Sequence, residues 1–290
     1  MQIAIHLGAH RTDEDLILRT LQRNSGALDA AGVTVPPPGR ARPAIRKAAQ
    51  SAGSGGLMPD AQNALLAEML EDGVEPARVI LSYEAFLGIY AKVLDGTRMY
   101  SDAGRRAALL RNLFPEHDVS FFMAIRNPAT FVPAIFEASR IDQLEEFLDG
   151  HDLTAMRWSE PIKAIRASCP DVPFTVWCHE DLPLLLPEVL ALLSGVEEPM
   201  EGADAMAQHV MTDVGFRRMQ TYLADNPAAT RSTWRKVATA FLGKFADPEA
   251  VEPEITTEGW TSEAVAALSE IYEEDVARLQ HLPGITFLTP

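Results

Sequence analysis

Cysteine is scarce in this sequence, which contains only Cys169 and Cys178 among its 290 residues. The two cysteines form no CxxC pair and lack metal-like spacing with a histidine pair, which argues against a zinc site. The run Cys178-His179-Glu180-Asp181 does contain four ligand-type side chains. Because consecutive strand residues point to opposite faces of a sheet, these four cannot converge on one ion. We therefore expect two buried free thiols and no bound metal.

Positive charge is also in short supply. The chain has 25 Lys and Arg against 41 Asp and Glu, for a formal net charge of −16. This balance argues against general nucleic-acid binding, which needs a basic face, and against docking on an anionic membrane. No apolar run approaches the roughly 18 residues of a spanning helix, and the chain starts without a basic leader. We expect a cytoplasmic protein; the sequence does not indicate its oligomeric state.

What the sequence does contain is an alternation of strand-like and helix-like segments. Residues 119–125 are continuously apolar except for Ser120, which is typical of a central parallel strand. Strands are also predicted at residues 2–7, 78–82 and 174–178, with helices between them. This pattern predicts an α/β fold in three layers, a mostly parallel sheet with helices on both faces. We expect one domain: a sheet core over residues 1–200 and a mostly helical extension over 201–290, with a possible final strand at 285–288.

The loop at residues 8–15 joins the first predicted strand to a helix predicted from Leu16 to about Ala31. A strand, a glycine-led loop and a helix together present backbone N–H groups and a helix dipole to an anion. Ligands of parallel sheets bind beyond the carboxyl ends of the strands. We therefore expect residues 8–15, 82–86 and 126–133 to converge on one site.

Residues 40–58 concentrate positive charge, in contrast to the rest of the chain. The segment is rich in Gly, Ala, Ser and Arg, and no acidic residue occurs between Asp29 and Asp60. The pattern fits a mobile, solvated loop or short helix, and it also fits a flap that faces an anion. The basic side chains are Arg40, Arg42, Arg46 and Lys47.

Several short motifs follow one another in a recognisable order. Gly8-Ala-His-Arg-Thr-Asp-Glu-Asp15 is similar to Gly-x-x-Lys-Thr-Gly-Thr-Thr, and Arg126-Asn-Pro128 matches Arg-x-Pro, with Ala134 where a serine is usual. Ser82-Tyr-Glu84 and His179-Glu-Asp-Leu182 resemble Ser-Ser-Glu and Tyr-Glu-Asp-Leu, and the last helix carries Tyr272-Glu-Glu-Asp275. In order and spacing the chain resembles the bacterial sulfotransferase family of the P-loop superfamily.

The resemblance implies a concrete activity. The donor would be 3′-phosphoadenosine 5′-phosphosulfate (PAPS), and the acceptor a hydroxyl or amine of a carbohydrate or small metabolite. Arg11 would neutralise the leaving oxygen, and Glu84 or His10 would act as the base. Arg126 would hold the 3′-phosphate through its bidentate fork. The residues that would bind the donor are Gly8, Ala9, Arg11, Thr12 and Arg126, with Ser139 substituting for the missing serine.

The same loop departs from the family pattern. Arg11 replaces the lysine, and Asp13-Glu14-Asp15 replaces Gly-Thr-Thr. One carboxylate about 4 Å from a phosphate oxygen opposes binding by about 4 kcal/mol at an effective dielectric near 20. Alternatively, Thr12 and Asp15 form a capping box, and the acids satisfy the helix start without any ligand.

Each candidate residue also has a structural interpretation. Arg126 fits an ion pair, Glu84 fits an N-cap or a buried hydrogen-bond acceptor, and His10 fits a solvent-facing loop. The sequence therefore leaves two functions open: an active sulfotransferase, or a degenerate relative that binds a ligand or partner without catalysis. Another P-loop transferase or kinase is least favoured, because Gly-x-x-x-x-Gly-Lys-Ser/Thr is absent.

Overall fold

The computed structural model describes residues 1–52, 55–71, 73–95, 98–252 and 254–290. Within these ranges a six-stranded sheet has the order β2-β3-β1-β6-β7-β8, and every neighbouring pair is parallel. A separate antiparallel pair consists of β4 and β5. The strands are β1 (Gln2–His6), β2 (Val33–Thr34), β3 (Arg78–Ser82), β4 (Leu94–Asp95), β5 (Arg98–Met99), β6 (Asp118–Ile125), β7 (Phe174–Cys178) and β8 (Thr286–Leu288).

Helices connect the strands of the main sheet and follow its fifth strand, β7. They are α1 (Leu16–Arg23), α2 (Ser25–Ala30), α3 (Pro38–Ala52), α4 (Pro59–Met69), α5 (Ala103–Asn112), α6 (Pro128–Ala138), α7 (Leu144–Leu148), α8 (Ser159–Ser168), α9 (Leu182–Ser194), α10 (Ala205–His209), α11 (Asp213–Asp225), α12 (Arg231–Phe245), α13 (Pro248–Val251) and α14 (Ser262–Leu279). No helix in the described ranges has the length and apolar character needed to cross a bilayer.

The central strand β1 separates two apolar layers. Ile3 and Ile5 face one layer, which is covered by α3, α4, α5, α6, α8 and α14. Ala4 faces the other layer, which is covered chiefly by α1 and α9. The predicted α/β fold with a parallel sheet is confirmed. Cys169 and Cys178 are both buried and form no disulfide, as expected.

Three local predictions differ from the structure. The first helix is broken at Asn24, whose side-chain amide donates to the carbonyls of Thr20 and Glu201. The strand β2 was not predicted; it is only two residues long and lies at the sheet edge. Residues 38–52 form a single fifteen-residue helix, α3, rather than a loop or short helix. Positions 53 and 54 of the basic segment lie outside the described residues.

The sheet order fixes where a ligand site can lie. From β1 the chain continues to β2 and β3 on one side, whereas from β6 it continues to β7 on the other. The carboxyl ends of β1 and β6 therefore border the topological switch point of the sheet. The loop after β6 begins at Arg126, as predicted, and the loop after β1 begins at Leu7, one residue earlier than predicted.

Helix α14 joins the sheet core through polar contacts beside this switch point. The Asn127 side chain donates to the Ser269 hydroxyl at 2.9 Å. The Tyr272 hydroxyl donates to the Glu180 carboxylate at 2.9 Å. The final helix thus helps to fix the start of α6.

A test of the core packing uses two glycines. A Cβ atom on Gly104 in α5 would lie 2.7 Å from the carbonyl oxygen of Ala164 in α8. We expect Gly104→Ala to lower the free energy of unfolding by about 1–3 kcal/mol, measured by urea denaturation. Gly243→Ala in α12 is the matched control, because it meets no atom within 4 Å. Its higher helix propensity should raise stability by about 0.5–1 kcal/mol. Equal effects of the two variants would contradict the packing described.

Candidate functional site

Residues 7–9 extend the pairing of β1 with β6 beyond the end of β1. The Leu7 N–H donates to the Phe122 carbonyl at 2.8 Å, and the Ala124 N–H donates to the Gly8 carbonyl at 2.9 Å. Gly8 has φ 95°, and a Cβ there would lie 2.8 Å from the Glu84 Cα. Only glycine allows this close approach. The loop is therefore pressed between β6 and the end of β3.

Two amides of the loop and one at the start of α1 are occupied by groups of the protein itself. The His10 N–H donates to the Tyr100 hydroxyl at 3.2 Å, and the Arg11 N–H donates to Glu84 Oε2 at 3.1 Å. At the start of α1, the Ile17 N–H donates to Asp13 Oδ2 at 3.0 Å. Two carboxylates thus accept N–H groups of the kind that a bound phosphate or sulfate uses at such a loop.

Glu84 links this loop to the segment after β3. Its second oxygen, Oε1, accepts a hydrogen bond from the Tyr90 hydroxyl at 2.9 Å. Burial, together with this carboxylate, raises the pKa of Tyr90 well above its ordinary value. Of the alternatives left open by the sequence, Glu84 therefore has the role of a hydrogen-bond acceptor. Both of its oxygens are engaged.

His10 does not face solvent, and that expectation is wrong. The residue is fully buried, with Nδ1 2.7 Å from the Tyr100 hydroxyl and its ring packed against Tyr90. Burial lowers the pKa of His10 to about 4. The imidazole is therefore neutral at neutral pH and lies beneath aromatic rings rather than at an open edge.

The three consecutive acids have different surroundings. Asp13 accepts the helix-start N–H described above, and burial raises the pKa of its carboxyl. Glu14 pairs with the Arg11 guanidinium at 2.7 Å, and Asp15 pairs with Arg42 at 2.6 Å. The predicted capping box is wrong, because Thr12 Oγ1 instead donates to the Ala9 carbonyl at 2.7 Å.

The loop backbone is strained at three non-glycine residues. Arg11, Glu14 and Asp15 have φ values of 55°, 49° and 63°. Each such left-handed residue is unfavourable by about 1–2 kcal/mol and persists only where its surroundings hold it. The bonds to Glu84 and Arg42 provide that restraint here.

Arg126 reaches the loop from the end of β6. Its Nη1 donates to the Arg11 carbonyl at 2.6 Å, and its Nε donates to the Thr130 hydroxyl at 3.0 Å. The indole of Trp158 donates to the Arg126 carbonyl at 2.7 Å, and burial lowers the pKa of the guanidinium. Among the described residues Arg126 forms no salt bridge, so the predicted ion pair is not found.

Helix α3 closes the other side of the loop through Arg42. Besides Asp15, the guanidinium contacts the Ser82 carbonyl at 3.3 Å and lies 4.3 Å from the centre of the Tyr83 ring. Arg46 is exposed on the same helix. Up to residue 52 the basic segment is therefore helical rather than a solvated loop, and Arg42 holds this helix against the loop.

Ser139 is not brought to the other candidates. It follows the last residue of α6, and eleven helical residues span about 16 Å. Its hydroxyl donates to the Phe136 carbonyl at 2.7 Å and accepts the Ile141 N–H at 3.2 Å. These local bonds end the helix.

The structure adds residues that the sequence did not suggest. Tyr90, Tyr100 and Trp158 anchor the loop through their polar atoms, although their spacing in the sequence carries no signal. His179 also lies beside the loop; burial, with Arg126 nearby, lowers its pKa to about 4. Four guanidinium groups and five carboxylates lie on or next to the loop. They are Arg11, Arg19, Arg42, Arg126, Asp13, Glu14, Asp15, Glu84 and Glu180.

The buried histidines make stability depend on pH. His10 and His179 have folded-state pKa values of about 4, below about 6.5 in the unfolded chain. Between these values the unfolded chain binds protons that the folded chain does not, so stability falls as the pH drops from 6.5 towards 4. Each histidine should contribute a loss of about 2 kcal/mol by pH 5.

Urea unfolding at pH 7 and pH 5 measures this loss. The difference should shrink by about 2 kcal/mol in His10→Gln. His281→Gln, at an exposed position, controls for the removal of one imidazole. An unchanged difference in His10→Gln would show that His10 is not the buried neutral group described.

Comparison with known proteins does not assign this site. A scan against protein-family models gives no match, and a search of the curated proteins gives no significant match. The function proposed below therefore rests on the contacts of the loop.

Proposed function

We propose that this protein is a catalytically degenerate sulfotransferase-like protein that binds a ligand or partner without transferring a sulfuryl group. The observation that carries the proposal is the hydrogen bond from the Arg11 N–H to the Glu84 carboxylate. In a phosphate-binding loop that N–H group serves the ligand. Here a side chain of the protein supplies the anion.

The charge of the cluster supports the same conclusion. Five carboxylates outnumber four guanidinium groups around the switch point, and the neighbouring His10 and His179 are neutral at pH 7. A carboxylate about 4 Å from a phosphate oxygen opposes binding by about 4 kcal/mol at an effective dielectric near 20. An acidic rim favours a neutral or cationic ligand over a polyanion such as PAPS.

The candidate bases are not poised for proton transfer. A general base must reach the acceptor proton within hydrogen-bond distance. Glu84 already accepts from the Arg11 amide and the Tyr90 hydroxyl, and His10 is enclosed by Tyr90 and Tyr100. Glu84 would have to give up contacts that hold the loop, and the burial that lowers the pKa of His10 to about 4 makes its imidazole a weak base.

A second candidate is a PAPS-dependent sulfotransferase, and one observation favours it. Arg11 and Arg126 are adjacent at the switch point, joined by the 2.6 Å bond from Arg126 to the Arg11 carbonyl. Two neighbouring guanidinium groups suit a sulfate or phosphate group. The acceptor would then be a hydroxyl or amine of a carbohydrate or small metabolite, and Glu84 would have to leave the Arg11 amide.

Thermal unfolding with 3′-phosphoadenosine 5′-phosphate separates the two candidates. A ligand that binds only the folded chain raises Tm, and at one hundred times its Kd it adds about 2.7 kcal/mol. We expect no change in Tm at about 1 mM nucleotide. A rise that Arg126→Ala abolishes would contradict the first candidate as argued here and favour the second.

A rebuilt loop provides the positive control. The combined change Arg11→Lys, Asp13→Gly, Glu14→Thr and Asp15→Thr removes three carboxylates and restores two hydroxyl donors. Adding Glu84→Gln also removes the carboxylate charge that faces the backbone N–H of residue 11. This variant should gain a nucleotide-dependent rise in Tm that wild type lacks. Failure of both proteins to respond would mean that the acids are not what excludes the nucleotide.

A further inference from the structure

The C-terminal part of the chain contains an abrupt reversal of charge. Residues 213–245 contain six basic and two acidic side chains, although the whole chain has a net charge of −16. Residues 246–277 contain ten acidic side chains and no Lys or Arg. The first stretch forms α11 and α12, here called the basic hairpin. The second contains α13 and all of α14 except its last two residues, Arg278 and Leu279, and is here called the acidic segment.

The basic hairpin leaves much of its charge unpaired. Arg231 and Arg235 form ion pairs with Glu197 and Glu188 on the body of the protein. The other four cations are exposed and form no salt bridge within the described part of the chain. They are Arg217, Arg218, Lys236 and Lys244.

Apolar side chains accompany these cations. Val214 and Tyr222 on α11 are 50% and 46% exposed. The apolar core beneath the hairpin is small. Its buried residues are Met219 and Ala238 of the hairpin and Ala207 and Met211, which precede it. Arginine and tyrosine side chains beside exposed apolar groups are typical of protein–protein interfaces.

The acidic segment exposes several carboxylates and one large apolar side chain. Glu263, Glu270 and Glu273 are exposed on α14, and Glu249 and Val251 are exposed on α13. Helix α14 packs on the layer that contains α6 and α8, whereas the basic hairpin packs on α9, on the other face of the sheet. The α14 part of the acidic segment therefore lies on a different face from the hairpin, whereas α13 stays next to the hairpin, because the Asp247 N–H donates to the Val210 carbonyl at 3.0 Å.

We propose that the basic hairpin docks on the acidic segment of a second copy of this chain. Opposite charges bring the hairpin and the α14 part of the acidic segment together, and the exposed Val214 and Tyr222 supply apolar contact. Because the two surfaces are different and lie on different faces, the contact is head-to-tail rather than self-complementary. No residue of this contact belongs to the charged groups around the switch point. A test of the contact is therefore independent of the proposed function.

Light scattering after size-exclusion chromatography tests the contact by its salt dependence. At about 20 mM salt the wild-type mass should exceed the 31.7 kDa of one chain and rise with concentration. At about 500 mM salt, where the Debye length is only a few ångströms, it should return to one chain. A wild-type protein that stays monomeric at low salt up to about 100 μM overturns the proposal.

Charge reversal identifies the surfaces. Arg217→Glu with Lys236→Glu lowers the net charge of the hairpin from +4 to zero, and Glu270→Lys with Glu273→Lys lowers that of residues 246–277 from −10 to −6. Each double variant alone should associate more weakly than wild type, because the attraction between its two surfaces is reduced. An equimolar mixture should associate again, since each variant presents the charge that the other lacks.

The matched control is Lys47→Glu with Arg140→Glu, which changes the net charge by the same amount at exposed positions elsewhere. It should associate like wild type. Circular dichroism verifies that each variant is folded, and the two reversals are independent, so one suffices if the other fails to fold. Association as strong as that of wild type in a folded double variant, or a mixture that associates no better than either variant alone, overturns the proposal.

Discussion

The hydrogen bond between the Arg11 amide and the Glu84 carboxylate is the contact on which the rest of the site depends. Gly8 is required because Glu84 comes so close to the loop. Tyr90 holds the other oxygen of Glu84, and His10 packs against Tyr90. The left-handed conformation of Arg11 places its N–H towards Glu84 and its carbonyl towards Arg126. The Glu84 carboxylate thus holds the Arg11 backbone, and this backbone in turn accepts the hydrogen bond from Arg126.

The acidic loop is tolerated because each of its charges has a partner. Asp13 binds the start of α1, Glu14 binds Arg11, and Asp15 binds Arg42 from α3. Glu14 and Asp15 are partly exposed, so each ion pair contributes only about 0–1 kcal/mol by itself. Their effect is to fix the loop conformation rather than to stabilise the whole fold. An incoming polyanion would have to break several of these contacts at once.

The sequence predicts the sheet well because buried parallel strands and their flanking helices leave local patterns. Residues 119–125 and 174–178 are examples, and both form strands within one residue of the prediction. The candidate site is predicted only as a meeting place of loops. The burial of His10 under Tyr100 depends on a contact across 90 positions, and the partner of Asp15 is 27 positions away. Such non-local partners leave no signature in the spacing of residues. The sequence alone therefore fits a capping box as well as it fits the contacts that the structure shows.

Amide hydrogen exchange at Arg11, followed by NMR, tests the central claim most directly. If the Glu84 carboxylate holds this N–H, the amide exchanges slowly in wild type and becomes fast in Glu84→Ala, while the amides of β6 remain protected. Addition of 3′-phosphoadenosine 5′-phosphate should leave the Arg11 resonance in place. A rapidly exchanging Arg11 amide in wild type, which becomes protected only when the nucleotide is added, would contradict the account and show a loop that awaits an anion.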